Sequence, residues 1–247
     1  MDEPDTIRLA LPTGGDDRAR AWLDAGSPVG SAPRPAASVC LLRDADGGPQ
    51  VLWITRSAGL AVAPGQLAFP GGAVEADDRR RRHDDLAVPD RFTVLARAAV
   101  RELAEETGHR VDAPTLVPLV RWVTPAHEPR RYDSTFLVGP LQDHDEPDHV
   151  PAGGEVHEHG WATPETLLQE VAAGARVALP PTRAVLTRLA RACAGADLTR
   201  ALAVLRAGAV LVPVVPRATW DEGGRTAGPD GARGVDLLLP RHAGEMP

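Results

Sequence analysis

The sequence predicts an α/β (α+β) domain. Short apolar runs bounded by Gly, Pro and Asp alternate with segments of helical periodicity. No internal repeat is present, and 247 residues are enough for one large domain with appendages that buries its own core.

Residues 1–33 are rich in Pro, Gly, Ala and Asp and read as an N-terminal extension, with a short helix around Arg18 to Ala25 and otherwise a tail or cover strand. Ala36 to Leu42 and Val51 to Thr55 are strand-like, and Asp46-Gly47-Gly48 between them makes a hairpin. Leu67-Ala68-Phe69 is a short run between the breakers Pro64-Gly65 and Pro70-Gly71-Gly72, and residues 79–92 read as a polar loop. A helix is expected from Val94 to Thr107, with Leu95, Ala99, Val100 and Leu103 on its apolar side and Gly108 as the left-handed stop. Strands are expected at 115–123 and 134–138, with a loop over 142–154. Thr163-Pro164 opens a helix that ends near Gly174; helices at 182–194 and 197–207 are capped by Thr182 and Asp197. Two strand-like runs, 210–215 and 235–239, close the chain.

Composition narrows the function. The net charge of −7 argues against general nucleic-acid or membrane-surface binding, and no apolar run is long enough for a membrane helix. The N-terminus opens on acidic residues rather than a basic and then apolar order, and Cys40 and Cys193 form no framework, so a cytoplasmic setting with inert thiols is expected. Every basic residue is Arg, so an Arg run such as Arg79–Arg82 carries less weight than it would elsewhere and reads as solvated loop. The acidic run Asp143-His144-Asp145-Glu146 reads as an exposed loop, Trp161 as a packing residue, and His157 and His159 as two residues on one face of a strand that lack a third ligand.

The informative stretch is Arg101-Glu102-Leu103-Ala104-Glu105-Glu106. Glu102, Glu105 and Glu106 share one helix face at i, i+3 and i+4, a spacing at which like charges repel and which a hard divalent cation would stabilise. Upstream, Gly65 to Glu75 holds Phe69-Pro70-Gly71-Gly72, a tight Gly-rich turn whose backbone can approach a metal or a phosphate.

Together these segments resemble the signature box of the Nudix hydrolases: Gly, five residues, Glu, seven residues, Arg-Glu, apolar, any, Glu-Glu, any, Gly, apolar. Gly72, Arg101, Glu102, Leu103, Glu105, Glu106 and Gly108 match. Asp78 stands at the first Glu, His109 at the closing apolar position, and 22 residues rather than seven separate Asp78 from Arg101, which leaves the contribution of Asp78 open. Leu52, Arg56, Ser57, Gly65 and the Phe-Pro-Gly-Gly string resemble the extended signature of the coenzyme A and acyl-CoA diphosphatases, with Ala61 where that signature has a second Arg. The box insertion, Arg121 to Pro125, Glu128 to Asp133 and Leu179 to Thr182 are similar to the peroxisomal-type branch and its bacterial relatives.

The resemblance implies a Nudix-type α/β/α sandwich with a mixed sheet and additional C-terminal helices. Its domain would cover 34–182, with 183–247 as a helical and strand extension packed on it. It implies Mg²⁺- or Mn²⁺-dependent hydrolysis of a nucleoside diphosphate derivative: CoA or acyl-CoA first, with NADH, ADP-ribose or a nucleotide sugar, or a non-catalytic nucleotide-binding module, as alternatives. Expected metal ligands are Glu102, Glu105, Glu106 and Gly72, and expected catalytic residues Glu102, Arg101 and Glu105. Arg56, Phe69, Gly71 and Glu128 are expected at the substrate, and Glu102, Glu128 and Glu155 are the open choices for general base. The implied partner is a small nucleotide, and the strand-like extensions at both ends suit pairing across a homodimer.

Overall fold

A computed structural model describes residues 6–10, 15–60, 63–80, 90–142, 154–208, 210–215 and 234–238. Its strands are β1 (Thr6–Ala10), β2 (Arg34–Arg43), β3 (Gln50–Arg56), β4 (Leu67–Ala68), β5 (Gly71–Ala73), β6 (Val117–Val123), β7 (Tyr132–Pro140), β8 (Val156–Ala162), β9 (Val210–Val214) and β10 (Gly234–Leu238). Its helices are α1 (Gly15–Asp24), α2 (Ala76–Arg79), α3 (Arg91–Thr107), α4 (Pro164–Ala172), α5 (Pro180–Cys193) and α6 (Leu198–Ala207), with a 3₁₀ turn at Ala113–Thr115. Eight strands form one sheet in the order β4-β3-β2-β7-β6-β9, with β5 off β2 and β8 on β3. The α/β class expected from the alternating pattern is therefore observed.

By backbone proximity the chain divides into two compact units, residues 35–120 with 134–211, and residues 1–34 with 121–133 and 212–247. The larger unit is built on the β2–β3 hairpin, paired Leu42 to Val51 around a turn closed by Gly48 N–H donating to Ala45 O at 3.0 Å. Val39, Leu41 and Leu52 are buried with Leu95, Ala99 and Leu103 of α3 in one apolar cluster. Cys40, Leu42 and Val51 alternate with that set and are equally buried, so the hairpin is covered on both faces. Each fully buried Leu or Ile contributes about 1.5–3 kcal/mol relative to its exposed state, so this cluster is the main anchor of α3. In the smaller unit, β1 and β10 form an antiparallel ladder, Thr6 opposite Leu238. The two terminal strands thus pair with each other within the chain.

Several boundaries differ from expectation for local reasons. The helix expected from Val94 starts at Arg91, because the Asp90 carboxylate accepts the Thr93 N–H at 2.7 Å and caps a first turn that adjoins a polar stretch. Just before the loop expected at 79–92, Ala76–Arg79 forms one helical turn with a reciprocal cap between Glu75 and Asp78, too short to show periodicity. α5 begins at Pro180 with Leu179 as its cap rather than at Thr182, since two prolines preset the first helical φ angles; Thr182 is buried inside the helix. Gly108 does end α3 in the left-handed conformation, φ 79°, and its N–H donates to Ala104 O at 3.0 Å. Thr163 and Asp197 cap α4 and α6 as expected. Ala61, Arg81, Arg82 and the acidic run 143–146 lie outside the described residues.

Candidate functional site

The larger unit brings the Gly-rich turn onto the acidic turn of α3. β5 pairs antiparallel with β2, Ala37 opposite Gly72 and Ser38 opposite Gly71, while Pro70 O accepts the Val39 N–H at 2.8 Å. That pairing leaves no room at Gly71, where a Cβ would overlap Ala37 and Ser38 backbone and the φ of 156° is itself unusual for an L residue. The freed Gly71 N–H points at α3 and donates to Glu106 Oε2 at 2.8 Å. At Gly72 a Cβ would overlap the Glu102 carboxylate, so glycine is what lets that carboxylate reach the turn.

Arg101 organises the other side. Its guanidinium donates to Glu102 Oε1 at 2.9 Å, to Glu105 Oε2 at 3.0 Å and to Ala73 O at 3.0 Å. It also holds Asp78 through contacts of 3.4 and 3.2 Å. Burial disfavours the Arg101 charge, but the hydrogen bonds and negative charge of Asp78 and Glu102 outweigh it and carry its pKa above the usual arginine range. Asp78 is buried, and its Oδ2 also accepts the Glu75 N–H at 2.8 Å. The long box insertion therefore leaves the Asp78–Arg101 pair in place. What argued against Asp78 was chain length, and added loop length is inexpensive when both ends are anchored.

Burial raises the pKa of Glu102, opposed by Arg101 and reinforced by Glu105 and Glu155. Glu106 is pushed up to about 8, mainly by burial and further by Glu102 and Glu155, with the Gly71 N–H and Arg56 opposing. Glu105 is the exposed member of the three. Among the described residues no three His, Cys, Asp or Glu side chains converge tightly enough to hold an ion in this conformation. Glu102 and Glu105 are turned onto Arg101, and Glu106 onto the Gly71 amide. The donor set still suits a hard divalent cation: it offers carboxylate oxygens, two of them destabilised as anions by burial and mutual repulsion, beside a turn that admits no side chain at Gly72.

The remaining expected residues divide. Arg56, at the end of β3, lies beside this cluster and donates to Glu155 Oε2 at 3.4 Å. Phe69 is packed inside, edge-on to Phe136 with ring centroids 6.2 Å apart. Glu128 lies in the smaller unit, where Arg18 engages both of its oxygens at 3.0 Å and His127 Nε2 stands 3.6 Å away. His157 is exposed, while His159 and Trp161 form edge contacts with the buried His109 at 6.4 and 5.5 Å. Arg79 is exposed, and both thiols are free, with Cys193 pushed up to about 11 by burial. Ser57 was not among the expected site residues. Its N–H donates to Glu155 O and its Oγ to Gly154 O, both at 2.8 Å, so it fixes the backbone that carries Glu155. Its place in the extended signature directly after Arg56 was the sign of this in the sequence.

A mixed sheet with a helix-borne carboxylate cluster closed onto a glycine turn defines the class: an α/β protein of sheet and helices. The NUDIX domain family matches residues 32–181, and the chain belongs to that family. It is similar to a NUDIX hydrolase from Alicyclobacillus acidocaldarius, with 26% identity, a TM-score of 0.55, and coverage of 65% of this chain and 92% of that one. It is 29% identical over 199 residues to "Putative nudix hydrolase 7" of Caenorhabditis elegans, covering 66% of this chain. It is 31% identical over 123 residues to the mitochondrial Nudix hydrolase 15 of Arabidopsis thaliana, covering 50% of this chain. The matches span 62% and 37% of those two relatives' lengths. Among the described residues no helix is long and apolar enough to cross a membrane.

Proposed function

We propose that this chain hydrolyses a diphosphate linking a nucleoside to another group, with CoA or acyl-CoA as the first substrate and 3′,5′-ADP and (acyl-)phosphopantetheine as products. The observation that carries the reading is the closure of Glu102 and Glu106 onto the Gly71–Gly72 turn. Glu102, Glu105, Glu106 and the Gly72 carbonyl would hold Mg²⁺ or Mn²⁺, which when bound supplies Lewis-acid stabilisation of charge on the phosphate oxygens. Arg101 holds Glu102 and Glu105 in a common orientation until they are needed. Its own position is set by Asp78 and the Ala73 carbonyl.

A carboxylate must take the proton of the attacking water. Our candidates for that task are Glu102, whose pKa is raised by burial, and Glu155, whose charge reaches Glu102 and Glu106. Glu128 is set aside as the base because Arg18 engages both of its oxygens. Arg56 supplies a cationic contact for an anionic group of the substrate, while Phe69, just before the Gly71–Gly72 turn, is buried against Phe136. The two free thiols fit a reducing, cytoplasmic setting.

Ala61, standing where the CoA signature carries an Arg, favours a second reading in which the substrate is NADH, ADP-ribose or a nucleotide sugar. The test is a hydrolysis panel with Mg²⁺ and with Mn²⁺ over CoA, acetyl-CoA, a long-chain acyl-CoA, NADH, ADP-ribose and a nucleotide sugar, with products resolved by mass. Release of 3′,5′-ADP from the CoA set supports the first reading. Turnover of the others alone supports the second. Binding without turnover across the panel would leave a nucleotide-binding module and remove both.

A further inference from the structure

We propose that Arg56 and Glu155 form a latch that an anionic group of the ligand opens, so that capture of that group by Arg56 shifts Glu155 toward its released position. The inference rests on the hydrolase reading above, and deepens it by coupling anion capture to a second side chain.

The geometry separates a fixed partner from a movable one. The Glu155 backbone is held by the two Ser57 hydrogen bonds. The β3–β8 register shifts between Thr55 and Arg56, where Thr55 faces Glu158 but Arg56 faces Val156. Such a bulge turns side chains away from the regular alternation. The Arg56 side chain is largely enclosed, 18% exposed, whereas that of Glu155 is 65% exposed. Only the Glu155 carboxylate is therefore free to swing.

The bond between them is suited to exchange. It is a single contact of 3.4 Å, whereas Arg121 and Asp133 make two contacts of 2.7 and 2.8 Å, and Arg18 and Glu128 two of 3.0 Å. A phosphate group offers Arg56 more negative charge than one carboxylate and a better match to its fork of donors. Occupation of Arg56 by phosphate and by Glu155 are then competing events, and each weakens the other by the same factor. Both side chains lie within electrostatic reach of Glu106, so the exchange takes place beside the acidic turn.

The experiment is a binding cycle read by calorimetry, without metal, on the parent, Glu155→Gln, Arg56→Gln and the double variant. The probes are inorganic phosphate and adenosine 3′,5′-bisphosphate. Glu155→Gln should bind about three- to fivefold tighter than the parent, the factor that loss of one exposed ion pair allows. Arg56→Gln should bind at least about tenfold more weakly, as expected for a lost charge-assisted contact. In the Arg56→Gln background, Glu155→Gln should add nothing. Three results would overturn the latch: no gain in Glu155→Gln, the same gain with and without Arg56 (simple repulsion by Glu155), or no binding of either probe by any of the four. Running the hydrolysis panel on the same proteins separates the two claims. A positive cycle in a chain inactive on every diphosphate removes the hydrolase reading, and a flat cycle in an active hydrolase removes the latch alone.

Discussion

Replacing Asp78 by Ala should destabilise the fold by about 3 kcal/mol, because one buried carboxylate closes two structures at once. Its Oδ2 accepts the Glu75 N–H at 2.8 Å and so completes the cap of α2. Its two oxygens also hold Arg101 at 3.4 and 3.2 Å. Loss of a helix cap costs about 1 kcal/mol, and loss of a hydrogen bond to a charged group about 1.5–3 kcal/mol. The larger penalty of about 3–5 kcal/mol for stranding a buried charge does not apply in full, because Arg101 keeps Glu102, Glu105 and the Ala73 carbonyl. For a chain of this size a loss of 3 kcal/mol lowers Tm by about 6–12 °C. The assay is urea and thermal denaturation followed by tryptophan fluorescence. Glu105→Gln is the control: Glu105 also contacts Arg101 but is 58% exposed, and its loss should cost no more than about 1 kcal/mol. An Asp78→Ala protein as stable as that control would refute the claim that Asp78 anchors Arg101 across the insertion.

Three further outcomes follow from the same geometry. Gly72→Ala should leave the fold intact but displace the Glu102 carboxylate, lowering kcat by at least about tenfold, as misplacement of a catalytic group does; an unchanged rate would show that Glu102 does not need the turn. The metal-free protein should lose stability as pH rises from the ordinary carboxyl value of 4.5 to about 8. Over that window the unfolded chain has released the Glu106 proton and the folded chain still holds it. Glu106→Gln should flatten that slope in denaturation profiles, and an unaltered slope would assign it to other groups. Arg18→Ala should strand Glu128 and lower stability by about 0.5–1 kcal/mol in urea denaturation, since the pair is only partly buried; no change would show the pair to be ornamental to the smaller unit.

Much of this was legible in the sequence because it is local. The i, i+3, i+4 carboxylates, the Gly108 stop, the Asp197 and Thr163 caps and the β2–β3 hairpin each depend on a few neighbouring residues. The pairing of β1 with β10 joins residues more than two hundred positions apart, and no local pattern carries it. Asp78 was obscured by the distance in chain length to Arg101, although the contact itself is short. Phe69 reads as a substrate contact from its motif, yet an aromatic side chain beside a glycine turn gains more from burial, and it lies against Phe136. Glu128 reads as an available carboxylate until Arg18 is seen to occupy it, a pairing across 110 positions. A polar neighbourhood hid the start of α3, where the Asp90 cap sets the first turn, and Thr182, read as a cap, hid the start of α5 two residues earlier at Pro180.

The central claim is that the acidic turn of α3, closed onto Gly71 and Gly72, cleaves a diphosphate. The most direct measurement compares the parent with Glu106→Gln, in Mg²⁺ and in Mn²⁺, on whichever diphosphate the parent turns over fastest, with the folded state of both checked by circular dichroism. The account predicts a folded variant whose kcat is lower by about a hundredfold or more, the scale of losing one group that stabilises transition-state charge. A folded Glu106→Gln protein that turns over at the parent's rate would place the chemistry elsewhere.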